Sequence, residues 1–246
     1  MIGTLLNVIT VAIGSTLGLL IGDRLPEKTQ QSVIFGLGLV TLVVGIDNAF
    51  QTGNIIIPLL SLIIGIFIGE WLNIQAALDR LADWLQQTFI KRSDHEANTN
   101  DSARERFISG FVTTSLLFCV GPLTFIGSLQ DGISGDYELL AIKAILDGFA
   151  SLAFAASLGI GVMFSILTIL SVQGGLTLLG MLAGEFMTTA TIDEMTATGG
   201  LLLIALSLVL LDIKKPSVAN FLPALLIAPL LVTIAVNIGI DIYPNL

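Results

Sequence analysis

Histidine and cysteine are almost absent from this chain of 246 residues, which contains one of each, His95 and Cys119. A single cysteine cannot form a disulfide within the chain, and a zinc cluster needs several cysteine or histidine ligands. The sequence also lacks an H-E-x-x-H helix, a Gly-Lys-Thr phosphate loop and a set of Ser, His and Asp that could form a triad. We therefore expect no enzyme activity, no metal centre and no cofactor.

Charged residues are scarce as well. They make up 12% of the sequence, whereas soluble domains contain about 25%. The 19 acidic residues outnumber the 10 basic ones, and the net charge of −9 argues against a nucleic-acid partner. No basic segment precedes the first apolar run, so we expect that run to remain as a membrane helix and not to be a cleaved signal peptide.

Apolar residues are abundant instead, at 54% of the sequence, with a mean hydropathy of +0.93. They form long runs, as membrane helices require to cross a hydrocarbon core about 30 Å thick. The pattern predicts an all-α polytopic integral membrane protein surrounded by the lipid bilayer. About eight transmembrane helices are predicted, over residues 2–22, 31–49, 55–71, 107–129, 139–157, 161–186, 197–211 and 218–240.

Residues 72–106 follow a different pattern. Five apolar residues recur there at helical spacing, with polar residues on the opposite face, which predicts an amphipathic helix at the membrane surface. The charged sequence that follows, up to residue 106, predicts a flexible loop. The apolar residues of the helix are Ile74, Leu78, Leu81, Leu85 and Phe89.

The basic residues predict the topology. With eight spans, nine of the 10 basic residues lie in loops on one side of the membrane, and the tenth is Lys143. The positive-inside rule makes that side cytoplasmic, so both termini are predicted to be extracytoplasmic. This count also favours dividing residues 139–186 into two spans, because a single span would move Lys214 and Lys215 to the opposite side.

A weak internal repeat relates the two ends of the chain. Gly18-x-x-x-Gly22-Asp23 matches Gly180-x-x-x-Gly184-Glu185. A first three-helix unit (1–71) would then correspond, in inverted orientation, to a second (161–240). The cytoplasmic segment 72–106 and a central helix pair (107–158) lie between them. Inverted repeats are typical of transporters. The glycine-rich helix faces indicate close helix packing and also permit a homodimer.

The central pair carries ionisable residues within apolar spans. Lys143 and Asp147 are four residues apart and so share one helix face. A charge at the bilayer centre costs at least about 2.5 kcal/mol, which leaves two interpretations. The pair is either a structural ion pair that tethers helices, together with Asp131, or a functional site. In the second case Asp147 or Asp131 binds a cation or proton, and Lys143 adjusts the affinity or occupies the empty site.

Further polar residues extend this candidate site. We expect Asn7, Gln130, Ser151 and Gln173 to contribute to an ion or solute site in the outer half of the membrane, although such residues also make interhelical hydrogen bonds. Glu194 is expected to be solvated at an interface. Breaks or hinges between helices, either simple kinks or discontinuous helices lining a site, are predicted at Gly121, Pro122, Gly159 and Gly161.

Three segments, LLFCVGPLTFIGSLQDG, LLAIKAILDGFASLAFAASLGIG and VQGG, resemble the bacterial membrane family called domain of unknown function 554 (YdfK/YqgA-like). The similarity extends over essentially the whole chain, beginning at NVITVAIGSTLGLLIGDRLP. It implies a multi-pass protein of the bacterial inner membrane and names no substrate. Residues that carry it include Gly127, Ser128, Gln130, Asp131, Gly132, Lys143, Asp147, Gly148, Gln173 and Gly174.

Taken together, the sequence favours a transporter or channel for an ion or small solute, coupled to a cation or proton. The alternative is a structural or regulatory membrane protein without transport activity, in which the polar residues only hold the helices together.

Overall fold

The structure is a computed structural model that describes residues 1–22, 25–89, 97–183 and 188–239. All regular elements in these ranges are helices. They are α1 (Ile2–Gly22), α2 (Glu27–Ala49), α3 (Ile56–Leu72), α4 (Ile74–Phe89), α5 (Ala97–Val120), α6 (Pro122–Ile133), α7 (Glu138–Leu158), α8 (Gly161–Ala183), α9 (Thr189–Leu210), a 3₁₀ turn (Val218–Phe221) and α10 (Ala224–Asn237).

Several sequence-based expectations concern residues outside the described ranges. They are the first part of the predicted loop (90–96), the repeat match of Gly22-Asp23 with Gly184-Glu185, the end of the sixth predicted span (184–186) and the last residue of the eighth (240).

Six segments have the length and apolar composition to cross a membrane: α1, α2, α7, α8, α9 and residues 218–237. The pairs α3 with α4 and α5 with α6 meet the same criteria only when each bent pair is taken as one span, which gives up to eight. The predicted fold class is therefore confirmed: the chain is a polytopic all-α membrane protein with six to eight candidate spans.

The amphipathic helix is present as α4, but the predicted loop up to residue 106 is wrong over residues 97–106. These residues form the first turns of α5. An ion pair and a hydrogen bond hold these turns in place. Arg104 pairs with Asp83 of α4, with 2.6 Å between Nη2 and Oδ2. Arg106 Nε donates to the carbonyl of Ser157 at 3.1 Å. Contacts with other helices thus stabilise a segment whose charge suggested a loop.

Two further boundaries differ from the sequence-based ones. Helix α9 begins at Thr189, eight residues before the predicted span, because the hydroxyl of Thr188 caps it by accepting from the amide of Thr191 at 3.3 Å. Helix α6 continues to Ile133. Gln130 and Asp131 therefore belong to a helix and do not mark the exit from a span.

The chain forms two compact units. Unit 1 comprises residues 1–36, 76–119 and 123–184, and unit 2 comprises residues 37–75, 120–122 and 185–246. These units cut across the three-helix units of the proposed repeat, since α1 belongs with α7 and α8 and not with α3.

The closest packing in unit 1 is between α1 and α7. A Cβ atom added at Gly14, Gly18 or Gly22 would collide with a main-chain carbonyl of α7, at Gly148, Leu152 and Ala156 respectively. Residue numbers rise along both helices in this series, so α1 and α7 run in the same direction. The small-residue face of α1 thus permits close helix contact, as the sequence predicted.

The remaining helices of unit 1 surround this pair. Side chains from α1, α5 and α8 form a common core of Val11, Phe118 and Ile169. Thr4 contacts Thr177 and Asn7 contacts Gln173, so α8 runs antiparallel to α1. Phe107 contacts Phe164 and Ser115 contacts Thr168, so α5 runs parallel to α8. These relative directions agree with the alternation of the predicted spans.

Unit 2 is built from α3, α9, α10 and the second half of α2. Gly45 of α2 and Gly200 of α9 face each other, and a Cβ added at Gly45 would lie 2.9 Å from the Gly200 carbonyl oxygen. Gly65 of α3 similarly faces Ala224 of α10, with a Cβ 2.5 Å from the Ala224 nitrogen. The candidate ion-binding residues on α1, α6, α7 and α8 all lie in unit 1, whereas the predicted helix break at Gly121 and Pro122 is assigned to unit 2.

Candidate functional site

The centre of the candidate site is the Lys143–Asp147 ion pair, one helical turn apart on α7. Lys143 Nζ contacts Asp147 Oδ2. The residues are 4% and 8% exposed, so both are buried although they are charged. The ammonium group also lies 5.9 Å from the centroid of the Phe118 ring on α5, within the range of a cation–π interaction. The pair therefore neutralises itself within one helix.

Asn7 of α1 joins this pair to a third helix. Its Nδ2 donates to Asp147 Oδ2 at 2.9 Å and to Gln173 Oε1 on α8, also at 2.9 Å. The two amide hydrogens are thus both used, which determines the orientation of the amide group. One carboxylate oxygen of Asp147 consequently accepts from two donors, Lys143 and Asn7.

The polar contacts continue along α1 and α8. Gln173 Nε2 donates to the Thr4 hydroxyl at 3.4 Å, and the Thr4 and Thr177 hydroxyls are 3.4 Å apart. Thr177 in turn donates to the main-chain carbonyl of Gln173 at 2.9 Å. Asn7, Gln173, Thr4 and Thr177 are 0% exposed. The cluster is therefore a closed polar core and not an open cavity.

One atom of this core has no partner. Oδ1 of Asn7 is buried and accepts no hydrogen bond from any described residue. An unsatisfied buried acceptor costs about 1–3 kcal/mol, and isolated cases in a native structure call for an explanation such as an absent ion or water. This oxygen belongs to the same amide group that donates to Asp147, beside the Lys143–Asp147 ion pair.

Asp131 and Gln130 are placed differently from the prediction. Asp131, on α6, is buried, but its Oδ2 contacts the amino group of Met1 at 2.8 Å and accepts from the amide of Gly3 at 3.2 Å. These contacts tie α6 to the start of the chain, and Lys143 is not among the described partners of Asp131. Gln130 is exposed. The reason is the continuation of α6, which turns Asp131 toward α1 and Gln130 away from it.

Ser151 is buried on α7, but it does not join the polar core. Its hydroxyl donates to the carbonyl of Gly148 at 2.8 Å and lies 3.3 Å from that of Val11. It serves the close contact of α7 with α1.

The predicted break at Gly121-Pro122 is present, because α5 ends at Val120 and α6 begins at Pro122. Proline has no amide hydrogen, so the Phe118 carbonyl loses its helical donor. The hydroxyl of Thr124, which is fully buried, donates to this carbonyl at 2.9 Å. The oxygen freed by the proline therefore has one replacement donor, and a solute site lined by this break stays a prediction.

Gly159 and Gly161 lie at the junction of α7 and α8. Gly159 has a φ of +82°, a backbone conformation that residues other than glycine rarely adopt. A Cβ at Gly161 would collide with the carbonyl of Phe107. Both glycines thus meet a steric requirement of the turn, and a hinge motion there stays a prediction.

A cavity of 690 Å³ opens elsewhere in unit 1. It borders Gly22 and Leu19 at the far end of α1 from Asn7, about 20 Å away at a rise of 1.5 Å per residue. Its lining includes Gln30, Arg106 and Leu158.

No group of three His, Cys, Asp or Glu residues that could hold a metal ion is found among the described residues. The oxygen-rich core around Asp147 has one carboxylate and neutral side chains, and hence does not resemble a transition-metal site.

Comparison with known proteins gives the family. The family model described as "Protein of unknown function (DUF554)" matches residues 2–233. The chain belongs to the DUF554 family. This agrees with the resemblance seen in the sequence.

Two relatives of this DUF554 chain match nearly its whole length. The "Uncharacterized protein YqgA" of Escherichia coli (strain K12) is 32% identical over 227 residues, or 92% of this chain and 94% of that protein. The "Uncharacterized membrane protein YdfK" of Bacillus subtilis (strain 168) is 27% identical over 244 residues, or 98% and 99% of the two. No solved structure matches the chain significantly.

One buried carboxylate of this DUF554 protein was missed by the sequence reasoning. Glu194 of α9, in unit 2, is 0% exposed, whereas it was expected to be solvated. Its carboxylate accepts from the Thr52 hydroxyl at 2.8 Å and from the amides of Gly53 and Asn54 at 2.9 and 3.1 Å. Burial follows because the turn before α3 folds over Glu194, and no local pattern indicates this.

Proposed function

We propose that this DUF554 protein is a transporter or channel for an ion or small solute in the bacterial inner membrane, coupled to a cation or proton that binds at Asp147. The observation that carries the proposal is the closed polar core of Asp147, Asn7 and Gln173, contributed by three membrane helices. Ionisable residues that face the interior of a membrane bundle commonly mark ion or substrate pathways. No catalytic role is assigned to any residue.

The geometry of the ion pair supports ion handling over a structural tether. Lys143 and Asp147 lie on the same helix, so their mutual attraction links no two helices. Replacing a buried ion pair by apolar residues of similar size is often neutral or stabilising. A purely structural role would therefore be served as well by leucine and methionine at these positions.

The orphan oxygen of Asn7 supports the same conclusion. A structural hydrogen-bonding residue in an apolar core satisfies its acceptor as well as its donors, but Asn7 Oδ1 accepts no hydrogen bond from the described residues. An additional cation or water at this position would supply the missing interaction.

The proposal includes an inverted repeat and a membrane orientation. The antiparallel contacts of α1 with α8 and of α3 with α10 are those expected between equivalent helices of two oppositely oriented units. Both termini are proposed to be extracytoplasmic, as the distribution of basic residues favours. A homodimer stays a prediction from the glycine-rich faces.

Flux into liposomes tests the proposed function. Purified protein is reconstituted and assayed against a panel of ions and small metabolites, with Asp147→Asn and Glu138→Gln compared with wild type. Glu138 is exposed at the start of the same helix, so its variant is a matched loss of one negative charge. We expect wild type and Glu138→Gln to have similar transport rates. The rate of Asp147→Asn should be at least tenfold lower, which corresponds to about 1.4 kcal/mol. Correctly folded wild type without flux across the panel would favour the non-transporting alternative.

A further inference from the structure

The ion pair and the oxygen atoms around it form a site that is neutral as it stands. Its charged members in the described core are one ammonium, on Lys143, and one carboxylate, on Asp147. Asn7, Gln173, Thr4 and Thr177 add neutral amides and hydroxyls. Any cation that binds to the carboxylate must displace the ammonium. The net charge of the site therefore limits the charge of the cation that can bind.

The oxygen atoms converge on the position now held by an amide hydrogen donor. Asp147 Oδ2 and Gln173 Oε1 are each 2.9 Å from Asn7 Nδ2, and they come from α7 and α8. Rotation of the Asn7 amide by half a turn would exchange Nδ2 for Oδ1. Three oxygens from three helices would then face one point, which is repulsive unless a cation lies between them.

The same rotation would turn the unsatisfied acceptor toward the other two oxygens and would move Nδ2 to the position that Oδ1 holds now. Oδ1 of Asn7, which accepts no hydrogen bond from the described residues, would become a ligand. Carboxylate and amide oxygens are ligands for hard cations. These oxygens could therefore bind a cation in place of the Lys143 ammonium and the Asn7 amide donor.

The charge count favours a monovalent cation. Asp147 is balanced by Lys143 alone among the described contacts of the core. A monovalent cation replaces that single charge, whereas a divalent cation would leave a net positive charge in an apolar environment.

Among the described residues, Lys143 forms an ion pair with Asp147 and with no second carboxylate. Cys119 on α5 interacts electrostatically with both members of the pair. Asp131 on α6 is paired with the Met1 amino group. The Phe118 ring, 5.9 Å from the ammonium, carries no charge. A buried ammonium that has lost its carboxylate is unstable relative to the neutral amine, so it releases its proton.

We infer that this site exchanges one monovalent cation for one proton, with Lys143 as the proton carrier; the inference rests on the proposed function. In the exchange, the cation binds the Asp147 carboxylate, the N–H bond of the Lys143 ammonium breaks, and the proton leaves to the water from which the cation entered. The lone pair stays on the neutral amine. The site has zero net charge before and after, so the exchange is electroneutral.

Proton release on cation binding tests the exchange without transport. Purified protein in weakly buffered detergent solution receives LiCl, NaCl or KCl, with choline chloride as the control salt, and the pH is followed. We expect wild type and Glu138→Gln to release one proton per bound cation for at least one of the three metals. Asp147→Asn, which removes the cation ligand, should release none.

Substitutions at Lys143 separate proton carriage from ion pairing. Lys143→Arg keeps a positive partner for Asp147, but a guanidinium is never deprotonated in proteins. We expect this variant to release no proton and to lose exchange in liposomes while it unfolds near the wild-type temperature. Lys143→Gln should still transport the cation, but without moving a proton in the opposite direction. Its flux therefore carries net charge and should respond to membrane voltage, whereas the wild-type exchange should not.

The outcomes distinguish the two proposals. Wild-type cation flux with no counter-movement of protons, or exchange that persists in Lys143→Arg, would overturn the inference and leave the transporter proposal in place. Proton release on cation addition with no flux in liposomes would support the exchange site and contradict transport. Absence of proton release with all three metals would overturn the inference directly.

Discussion

Asn7 is the residue on which the candidate site depends most. It uses both amide hydrogens to connect Asp147 of α7 with Gln173 of α8, and its own oxygen accepts no hydrogen bond from the described residues. Its position on α1 brings a neutral donor to a carboxylate that already binds an ammonium. The site is thus defined by an uncharged residue as much as by its ion pair.

Replacement of Asn7 by leucine should therefore destabilise the protein. Asn7→Leu nearly preserves the size of the side chain, but it leaves Gln173 Oε1 without the Asn7 donor and removes one of the two donors to Asp147 Oδ2. We expect the free energy of unfolding to fall by about 1–3 kcal/mol, measured by thermal or denaturant unfolding in detergent.

Thr16→Val is the matched control on α1, because the exposed Thr16 hydroxyl donates only to the Ala12 carbonyl of its own helix. It should change stability little. Wild-type stability of Asn7→Leu would mean that the bridging hydrogen bonds contribute nothing to the fold.

At the scale of elements, the parallel pair of α1 and α7 positions the site. Its glycines bring the two backbones into contact, with Gly14 of α1 against the carbonyl of Gly148 on α7. Gly148 directly follows Asp147 in the chain. The distance between the helices thus sets the reach of Asn7 to the carboxylate.

Gly14→Ala should push α1 and α7 apart. Its added methyl group would meet a main-chain carbonyl, which cannot move without shifting the helix, so we expect a loss of about 1–3 kcal/mol as for other overpacked positions. Gly36→Ala is the control, because nothing lies within 4 Å of a Cβ at Gly36 on α2. It should be neutral or gain about 0.5–1 kcal/mol from helix propensity. Equal effects in unfolding experiments on both variants would argue against a close α1–α7 contact.

The sequence predicts the polar members of the site better than their partners. Asn7, Lys143, Asp147 and Gln173 stand out because polar residues are rare in apolar spans. Helical periodicity shows which residues share a face of one helix, but not which faces of different helices meet. The sequence therefore groups Asp131 with Lys143, although its described contacts are with Met1 and Gly3 at the start of the chain.

Thr4 and Thr177 show what a closer reading of periodicity can add. Thr4 lies three residues before Asn7, and Thr177 lies four residues after Gln173. These spacings put each threonine on the polar face of its helix. The burial of Glu194, in contrast, depends on a turn that arrives from a distant part of the chain, so the residues beside it carry no signal.

At the scale of the whole molecule, the order of the spans follows from apolar length and from charge. The eight predicted spans correspond to α1, α2, α3, the α5–α6 pair, α7, α8, α9 and the segment around α10. Their boundaries are less well predicted where tertiary contacts extend a helix, as at the start of α5. Which side of the membrane is cytoplasmic depends on the basic residues alone.

Cysteine labelling checks this orientation. In a Cys119→Ala background, which has no other cysteine, Ser134→Cys and Ile160→Cys place an exposed thiol at the opposite ends of α7. We expect a membrane-impermeant maleimide to label Ser134→Cys in intact cells and Ile160→Cys only after permeabilisation. The reverse pattern would place the termini in the cytoplasm.

The pairing of α1 with α7 has a consequence for biosynthesis. The two helices are separated by more than 110 residues of chain, so at about 5–20 residues per second α7 is synthesised roughly ten seconds after α1. During that time the nascent first helix presents Asn7 and a row of glycines with no native neighbour to cover them. Polar groups in a bilayer then need a temporary partner. Early intermediates of this protein should therefore remain at the insertion machinery until the fifth span emerges.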